Sequence, residues 1–171
     1  DRFLLDANVL LYLFGPGAGY HSDKINRYSQ FLLRARQAKS ELYFTALILS
    51  EFVNRYQRID FEAFKLANPN ATDFKRDYRQ TSECLLTLSD IENVVKTLIY
   101  NLAKPVGDNF DQMAVDDLFA NMTASDFNDN HICEVAVEKG LKVVSEDRDW
   151  YVHRERVDIL TTNGWLLSQG R

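Results

Sequence analysis

Short unbroken apolar runs alternate with amphipathic stretches along this chain. Phe3-Leu4-Leu5 ends at Asp6, and Val9-Leu10-Leu11 follows. An apolar run without alternation predicts a parallel strand buried on both faces, here leading into a helix or loop. Gly15-Pro16-Gly17-Ala18-Gly19 breaks the pattern and predicts a loop. It lacks the Gly-Lys-Ser/Thr ending of a phosphate-cradling loop, so it reads as a flexible connection. Ile25, Tyr28, Phe31, Leu32 and Ala35 share one helical face within residues 24–38. Leu42-Tyr43-Phe44 is a second short strand. A helix then runs from Ala46 to about Ile59, with Thr45 as its N-cap.

Residues 72–88 read as helical through Phe74, Tyr78, Leu85 and Leu88. Ser89-Asp90-Ile91-Glu92 has the form of a capping box. Ile91, Val94, Val95, Leu98, Ile99 and Leu102 then form an apolar stripe, which Pro105 and Gly107 end. Val115, Leu118, Phe119 and Met122 suggest another helix. Ser125 or Asp126 opens a helix carrying Ile132, Cys133, Val135 and Ala136, and Gly140 sits at its C-cap. Leu141-Lys142-Val143-Val144 is a strand, with Ser145-Glu146-Asp147-Arg148-Asp149 at its carboxyl end. Val157-Asp158-Ile159-Leu160 is the last strand. Strands alternating with helices predict an α/β fold with a largely parallel central sheet. Residues 60–115 lack strand signals and read as a helical insert on a single domain spanning 1–171.

A chain of 171 residues suits one domain and buries roughly 70% of its extended surface on folding. Its 46% hydrophobic and 26% charged residues are those of an ordinary globular protein. Cys84 and Cys133 lie far apart, which argues against a disulfide scaffold or zinc site and for a reducing, cytoplasmic setting. No apolar run reaches the ~20 residues a membrane span needs. The net charge of −5 counts against a protein that grips nucleic acid passively through phosphates. It counts less against a nuclease, because bound cations can bridge acids and phosphates.

Three places join a carboxylate to a strand end or a helix start. Asp6 and Asn8 follow the first strand, Asp126 and Asp129 open a late helix, and Asp147 and Asp149 follow a later strand. Glu51 lies early in the helix after the second strand. In an open parallel sheet the strand carboxyl ends share one crevice, so Asp6 and Asp147 can meet across a long sequence separation. Clustered carboxylates raise each other's pKa values. A hard divalent cation removes that conflict, and oxygen-only ligands suit Mg²⁺ or Mn²⁺.

These residues resemble a known family. Leu4-Leu5-Asp6-Ala7-Asn8-Val9-Leu10 is similar to the opening motif of PIN domains, and Ser50-Glu51 to their second acidic position. Asp129-Asn130-His131-Ile132-Cys133-Glu134-Val135-Ala136, ending at Gly140, resembles the third motif. Val143-Val144-Ser145-Glu146-Asp147-Arg148-Asp149-Trp150 resembles the fourth. The resemblance covers both ends of the chain, while the middle is longer than in compact bacterial PIN toxins. It implies a three-layer α/β/α fold with extra helices in the middle of the chain. It implies that Asp6, Glu51, Asp129 and Asp147 bind Mg²⁺ or Mn²⁺ and carry catalysis. Asp149 is then an auxiliary metal ligand, and Asn8, Asp126 and Ser145 support the site. Asp126 could replace or assist Asp129. Arg148 could touch substrate phosphate. The implied reaction is hydrolysis of an RNA phosphodiester by water activated on the metal. Implied partners are the RNA, a possible antitoxin protein of the VapC type and a second copy of the chain.

Each residue also has a plain structural explanation. Asp126 is a good N-cap, with Asp129 favourable in the first helical turn. Asp147 and Asp149 suit a turn after a strand, and Glu51 a solvated helix face. Only the four sites in order favour the metal. His131 reads as structural and Cys133 as a small core residue. Trp150 and Tyr151 could stack on a base, though covering the sheet edge suits them better. Asp108, Asp111, Asp116 and Asp117 read as a solvated face. Lys24, Arg27, Arg34, Arg36 and Lys39 give the first amphipathic helix a basic face that could guide RNA or simply meet solvent. The competing functions are a PIN nuclease for RNA processing or structured DNA, and a non-catalytic PIN-like module that binds RNA or protein. A haloacid-dehalogenase-like phosphatase also starts with a strand and an aspartate, but needs a second aspartate where Asn8 stands.

Overall fold

A computed structural model describes residues 1–17 and 22–169. Gly15–Gly17 lie in the predicted loop, whose remaining residues, Ala18 and Gly19, fall outside the described part. Five strands form one parallel sheet: β1 (Arg2–Leu5), β2 (Glu41–Phe44), β3 (Lys104–Pro105), β4 (Lys142–Val144) and β5 (Ile159–Leu160), in the order β3-β2-β1-β4-β5. The central strand is the most apolar one. Phe3, Leu4 and Leu5 are all buried, because a middle strand covered on both faces has no side that tolerates polar residues. Its neighbours register Leu4 against both Tyr43 and Val143.

The helices are α1 (Ala7–Phe14), α2 (Ser22–Gln37), α3 (Ala46–Ala67), α4 (Ser82–Val94), α5 (Tyr100–Leu102), α6 (Val115–Leu118), α7 (Phe127–Lys139) and α8 (Gly164–Ser168). Crossovers run outward from β1 in both directions. The right-handed crossover that governs parallel strands then puts helices on both faces, giving the three α/β/α layers. Buried side chains from α1, α2, α3 and α7 join those of the sheet in one core, with Phe44, Ile48, Phe52, Ile132 and Trp150 fully enclosed.

Several elements differ from the pattern-based expectation. Helix α3 continues beyond Ile59 to Ala67, because Phe61 and Phe64 find a second apolar cluster with Ala71, Phe74, Tyr78 and Cys84. The segment around 72–88 is split. Phe74–Tyr78 form a single π turn, and α4 starts only after Thr81, whose hydroxyl accepts from the Cys84 N–H. Ser89-Asp90-Ile91-Glu92 therefore lies inside or at the end of a helix that is already capped, and caps nothing. The apolar stripe passes through a second π segment, Val95–Ile99, which widens the helix locally. A strand also lies where none was expected. Lys104–Pro105 extends the sheet at its edge, the place where proline's missing N–H costs no ladder bond. The helix expected through Met122 is one turn long, and of its apolar residues only Leu118 is buried.

Gly140 ends α7 as expected. It adopts φ +62° and donates to the carbonyls of Ala136 and Val137. An added Cβ would meet nothing within 4 Å, so the cost of a side chain there is purely conformational. Gly140→Ala lowers unfolding stability by about 1 kcal/mol, measured by urea denaturation. An unchanged midpoint contradicts the left-handed cap.

Candidate functional site

The direction of strand order reverses at β1, with β2 on one side and β4 on the other. This switch point is where an open α/β sheet leaves a crevice at its carboxyl end. Asp6 stands there as the first residue past β1, and its N–H donates to the Val144 carbonyl at 3.1 Å, tying it to β4. Its carboxylate is nearly enclosed, at 5% exposure. One oxygen accepts from the Ala7 N–H at 2.6 Å, which makes Asp6 the N-cap of α1. The other accepts from Asn8 Nδ2 at 2.8 Å and from the Ser145 hydroxyl. A carboxylate offers about four acceptor sites, so three bonds leave one on Oδ1 for a further partner.

Ser145 and Asn8 link the two strand ends. Asn8 Nδ2 lies 3.2 Å from Ser145 Oγ, and Asn8 Oδ1 accepts from the Glu146 N–H at 3.2 Å. Ser145 Oγ accepts from the Asp147 N–H at 3.0 Å. Asp147 then caps the 3₁₀ turn Arg148–His153 by accepting from the Asp149 N–H. The expected supporting pair thus bonds directly to the first acid.

Asp126 and Asp129 divide their roles. Asp126 is exposed, and its carboxylate accepts from the Asp129 N–H at 2.9 Å as the cap of α7. The Asp129 carboxylate has no hydrogen bond or ion pair among the described residues. Burial pushes its pKa up to about 8, and the nearby carboxylates of Asp126, Asp6, Asp147 and Asp149 add to the rise. Burial likewise lifts Asp6 to about 6; the Ser145 hydrogen bond opposes this, while Glu51 and Asp147 reinforce it. Asp149 is raised by burial and then by Asp147 and Asp126. Glu51 lies on α3 and is paired with Arg55 at 3.1 Å. Six carboxylates from four parts of the chain, Asp6, Glu51, Asp126 with Asp129, and Asp147 with Asp149, therefore share one electrostatic neighbourhood.

The donor chemistry fits a hard divalent cation: oxygen only, excess negative charge, and acids whose mutual repulsion a cation relieves. Among the described residues no three histidine, cysteine or acidic side chains are gathered closely enough to hold an ion as they stand.

Other candidates are placed elsewhere. Arg148 is exposed and lies over the Trp165 ring, 5.6 Å from its centroid. Trp150 is fully buried in the core and cannot stack on a base, while half-buried Tyr151 packs edge-on against Trp165 at 5.3 Å. His131 is buried, with Nε2 3.5 Å from Asp108; burial lowers its pKa against that pairing. Cys84 and Cys133 are buried free thiols. On α2 Arg27, Arg34 and Arg36 are exposed, as is Lys39 in the turn after it, but Lys24 is committed to a buried acid.

That acid, Glu146, was not anticipated. Alternation along Ser145-Glu146-Asp147 turns it away from the cluster. Its carboxylate receives Lys24 Nζ at 2.6 Å, the Tyr28 hydroxyl, and the N–H and hydroxyl of Thr162. Burial alone would raise its pKa, but these donors hold it below the usual range. Glu146 thus pins α2 and the segment after β5 to the tail of β4. The signal was the two-residue period itself, which places neighbours of a strand tail on opposite sides.

A family model for the PIN domain matches residues 3–155. The chain belongs to the PIN family, whose nuclease-type fold generally serves metal-dependent cleavage of nucleic acid. No curated protein matches it. Among solved structures it is similar to the crystal structure of PAE2754 from Pyrobaculum aerophilum. The TM-score is 0.48 and the identity 16%, over 98% of this chain and 93% of that one. Among the described residues no helix is long and apolar enough to cross a membrane.

Proposed function

We propose that this chain is a metal-dependent endoribonuclease that hydrolyses RNA phosphodiester bonds, with Asp6, Glu51, Asp129 and Asp147 as its metal-binding catalytic acids. Asp149 assists, and Asn8 and Ser145 orient Asp6. The observation that supports the reading is the bonding of Asp6, Ser145 and Asp147 across the β1/β4 switch point, in an acidic neighbourhood whose burial and mutual repulsion push the carboxyls of Asp6 and Asp129 up. A bound Mg²⁺ or Mn²⁺ supplies positive charge to the phosphodiester and acidifies a water. The chain's own part is to gather the carboxylates, to hold Asp6 through three donors, and to keep Asp126 occupied as a helix cap.

Purified protein incubated with a mixed RNA pool cleaves it with Mg²⁺ or Mn²⁺ and stops with chelator. Asp129→Asn removes that activity. Asp126→Asn retains most of it, because asparagine caps a helix as well as aspartate does. The reverse ranking moves the ligand role to Asp126.

A toxin role in a toxin–antitoxin pair is a finer proposal resting on the motif resemblance. It predicts growth arrest on expression of the wild type but not of an inactive variant. On the same resemblance we propose that the chain pairs as a homodimer, works in the cytoplasm and carries 60–115 as an insert on a single domain. A second reading is a non-catalytic module, since among the described residues no three acids are gathered closely enough to hold an ion as they stand. Wild-type protein that binds no Mn²⁺ by calorimetry and cuts no RNA selects it.

A further inference from the structure

A strand of RNA approaching this site meets a cluster of carboxylates on a chain of net charge −5. It needs a cation close to the acids. Lys24 is bound to buried Glu146 and to the Tyr12 hydroxyl, and Arg148 lies over Trp165. Arg55 is placed differently. It stands one turn after Glu51 on α3, about 6 Å further along the axis, and is half exposed. A groove between α1 and α3 is lined by Asn8, Leu11, Tyr12, Ile59 and Arg55. Asn8 is the residue whose amide holds Asp6, so the groove begins at the acids and carries Arg55 on its wall.

The geometry points to Arg55 as a substrate-positioning residue. The groove between α1 and α3 takes the nucleotide beside the scissile phosphate, and Arg55 binds that nucleotide's own phosphate. The inference rests on the nuclease reading and adds the direction in which the strand leaves the acids. Glu51 holds Arg55 through one guanidinium nitrogen at 3.1 Å. Were Glu51 to hold a cation, it would release the guanidinium, whose planar fork suits a phosphate. The same pair keeps the groove's cation in place beforehand. The bland alternative is an exposed i,i+4 pair of no consequence beyond the helix surface.

Binding of a short single-stranded RNA, measured by fluorescence anisotropy in Mn²⁺ over a series of salt concentrations, tests this. The Asp6→Asn background keeps the RNA uncut, and Mn²⁺ is raised to saturation, checked by calorimetry, so that Glu51 is still drawn to the cation. Adding Arg55→Ala weakens binding about tenfold and lowers the slope of log affinity against log salt by about 0.7, the share of one phosphate. Arg55→Lys restores the slope. In the chain with Asp6 intact, Arg55→Ala raises KM with kcat little changed. It also binds Mn²⁺ at least as tightly as the wild type, because Glu51 has lost its competitor. Unchanged affinity and slope in Arg55→Ala overturn the proposal, as does a loss confined to kcat. Thermal melts confirm that each variant folds. Wild-type protein that binds RNA without cutting it sinks the nuclease reading alone, since the salt slope still decides whether Arg55 touches phosphate.

Discussion

Asp6→Asn abolishes metal-dependent cleavage, by on the order of a thousandfold, and leaves the fold intact. The size follows from removing one charged ligand where a cation supplies several kcal/mol of charge stabilisation. The structural cost is limited. Asparagine can keep the α1 cap, because its carbonyl oxygen still accepts from the Ala7 N–H. Its amide nitrogen then faces the Asn8 donor that Asp6 Oδ2 accepts, a mismatch of about 1–3 kcal/mol. The Ser145 hydroxyl can rotate to accept instead. Against that mismatch stands the relief of a nearly enclosed negative charge whose carboxyl burial has pushed up to about 6. Without metal at pH 8 the variant therefore melts no lower than the wild type. Cleavage rates and melting curves on the same preparations check both halves. Wild-type rates in Asp6→Asn place the chemistry elsewhere, and a collapse in melting temperature makes Asp6 a structural residue instead.

In chelator, stability falls as pH rises from about 5 to 8, and Mn²⁺ removes most of the fall. Asp6 and Asp129 bind their protons more tightly in the folded chain than the ordinary aspartate value of 3.8, to about 6 and about 8. The folded state thus holds protons that the unfolded chain has already lost. The associated stability is complete below pH 3.8 and disappears as pH climbs through the folded values. For Asp6 alone the loss is roughly 3 kcal/mol. Acids with lowered values act in the opposite sense at lower pH. Asp77, held down first by Arg76, and Glu146, held down by Lys24, Thr162 and Tyr28 against its burial, lose their contribution as pH falls below the usual carboxylate range. Melting temperature in chelator therefore peaks near pH 5. Asp129→Asn flattens the alkaline side, whereas Asp126→Asn leaves most of it. A melting temperature that stays level from pH 5 to 8 contradicts the crowding of these acids.

Both predictions concern residues visible in the sequence, and their legibility has a local cause. Phe3-Leu4-Leu5 had to be a two-sided buried strand because nothing polar interrupts it, so Asp6 had to stand at a strand end. The caps Thr45 and Gly140 were likewise local matters, a hydroxyl before an apolar helix and a residue free to take φ +62°. Misreadings arose where distant partners chose between local options. Ser89-Asp90-Ile91-Glu92 has capping chemistry, but Thr81 starts the helix earlier, and Cys84, Thr87 and Ile91 are buried along it. Lys104-Pro105 has no strand signature; it pairs because β2 presents an open edge to it. Trp150 reads equally as a stacking platform or a core residue until burial decides for the core.

By itself the sequence determined which residue types were available, in what order, and at which strand and helix ends the acids would stand, since those follow from short-range periodicity and capping. Only the tertiary structure decided which of them meet. The strand order β3-β2-β1-β4-β5 sets the end of β1 beside that of β4, joining Asp6 to Ser145 across 139 positions. It also separated Asp129, half-buried with no hydrogen bond or ion pair to its carboxylate among the described residues, from Asp126, which serves as a cap, and turned Glu146 away to pin α2. Charge, burial and hydrogen bonding depend on neighbours brought together by the whole fold, and no window of the chain contains them.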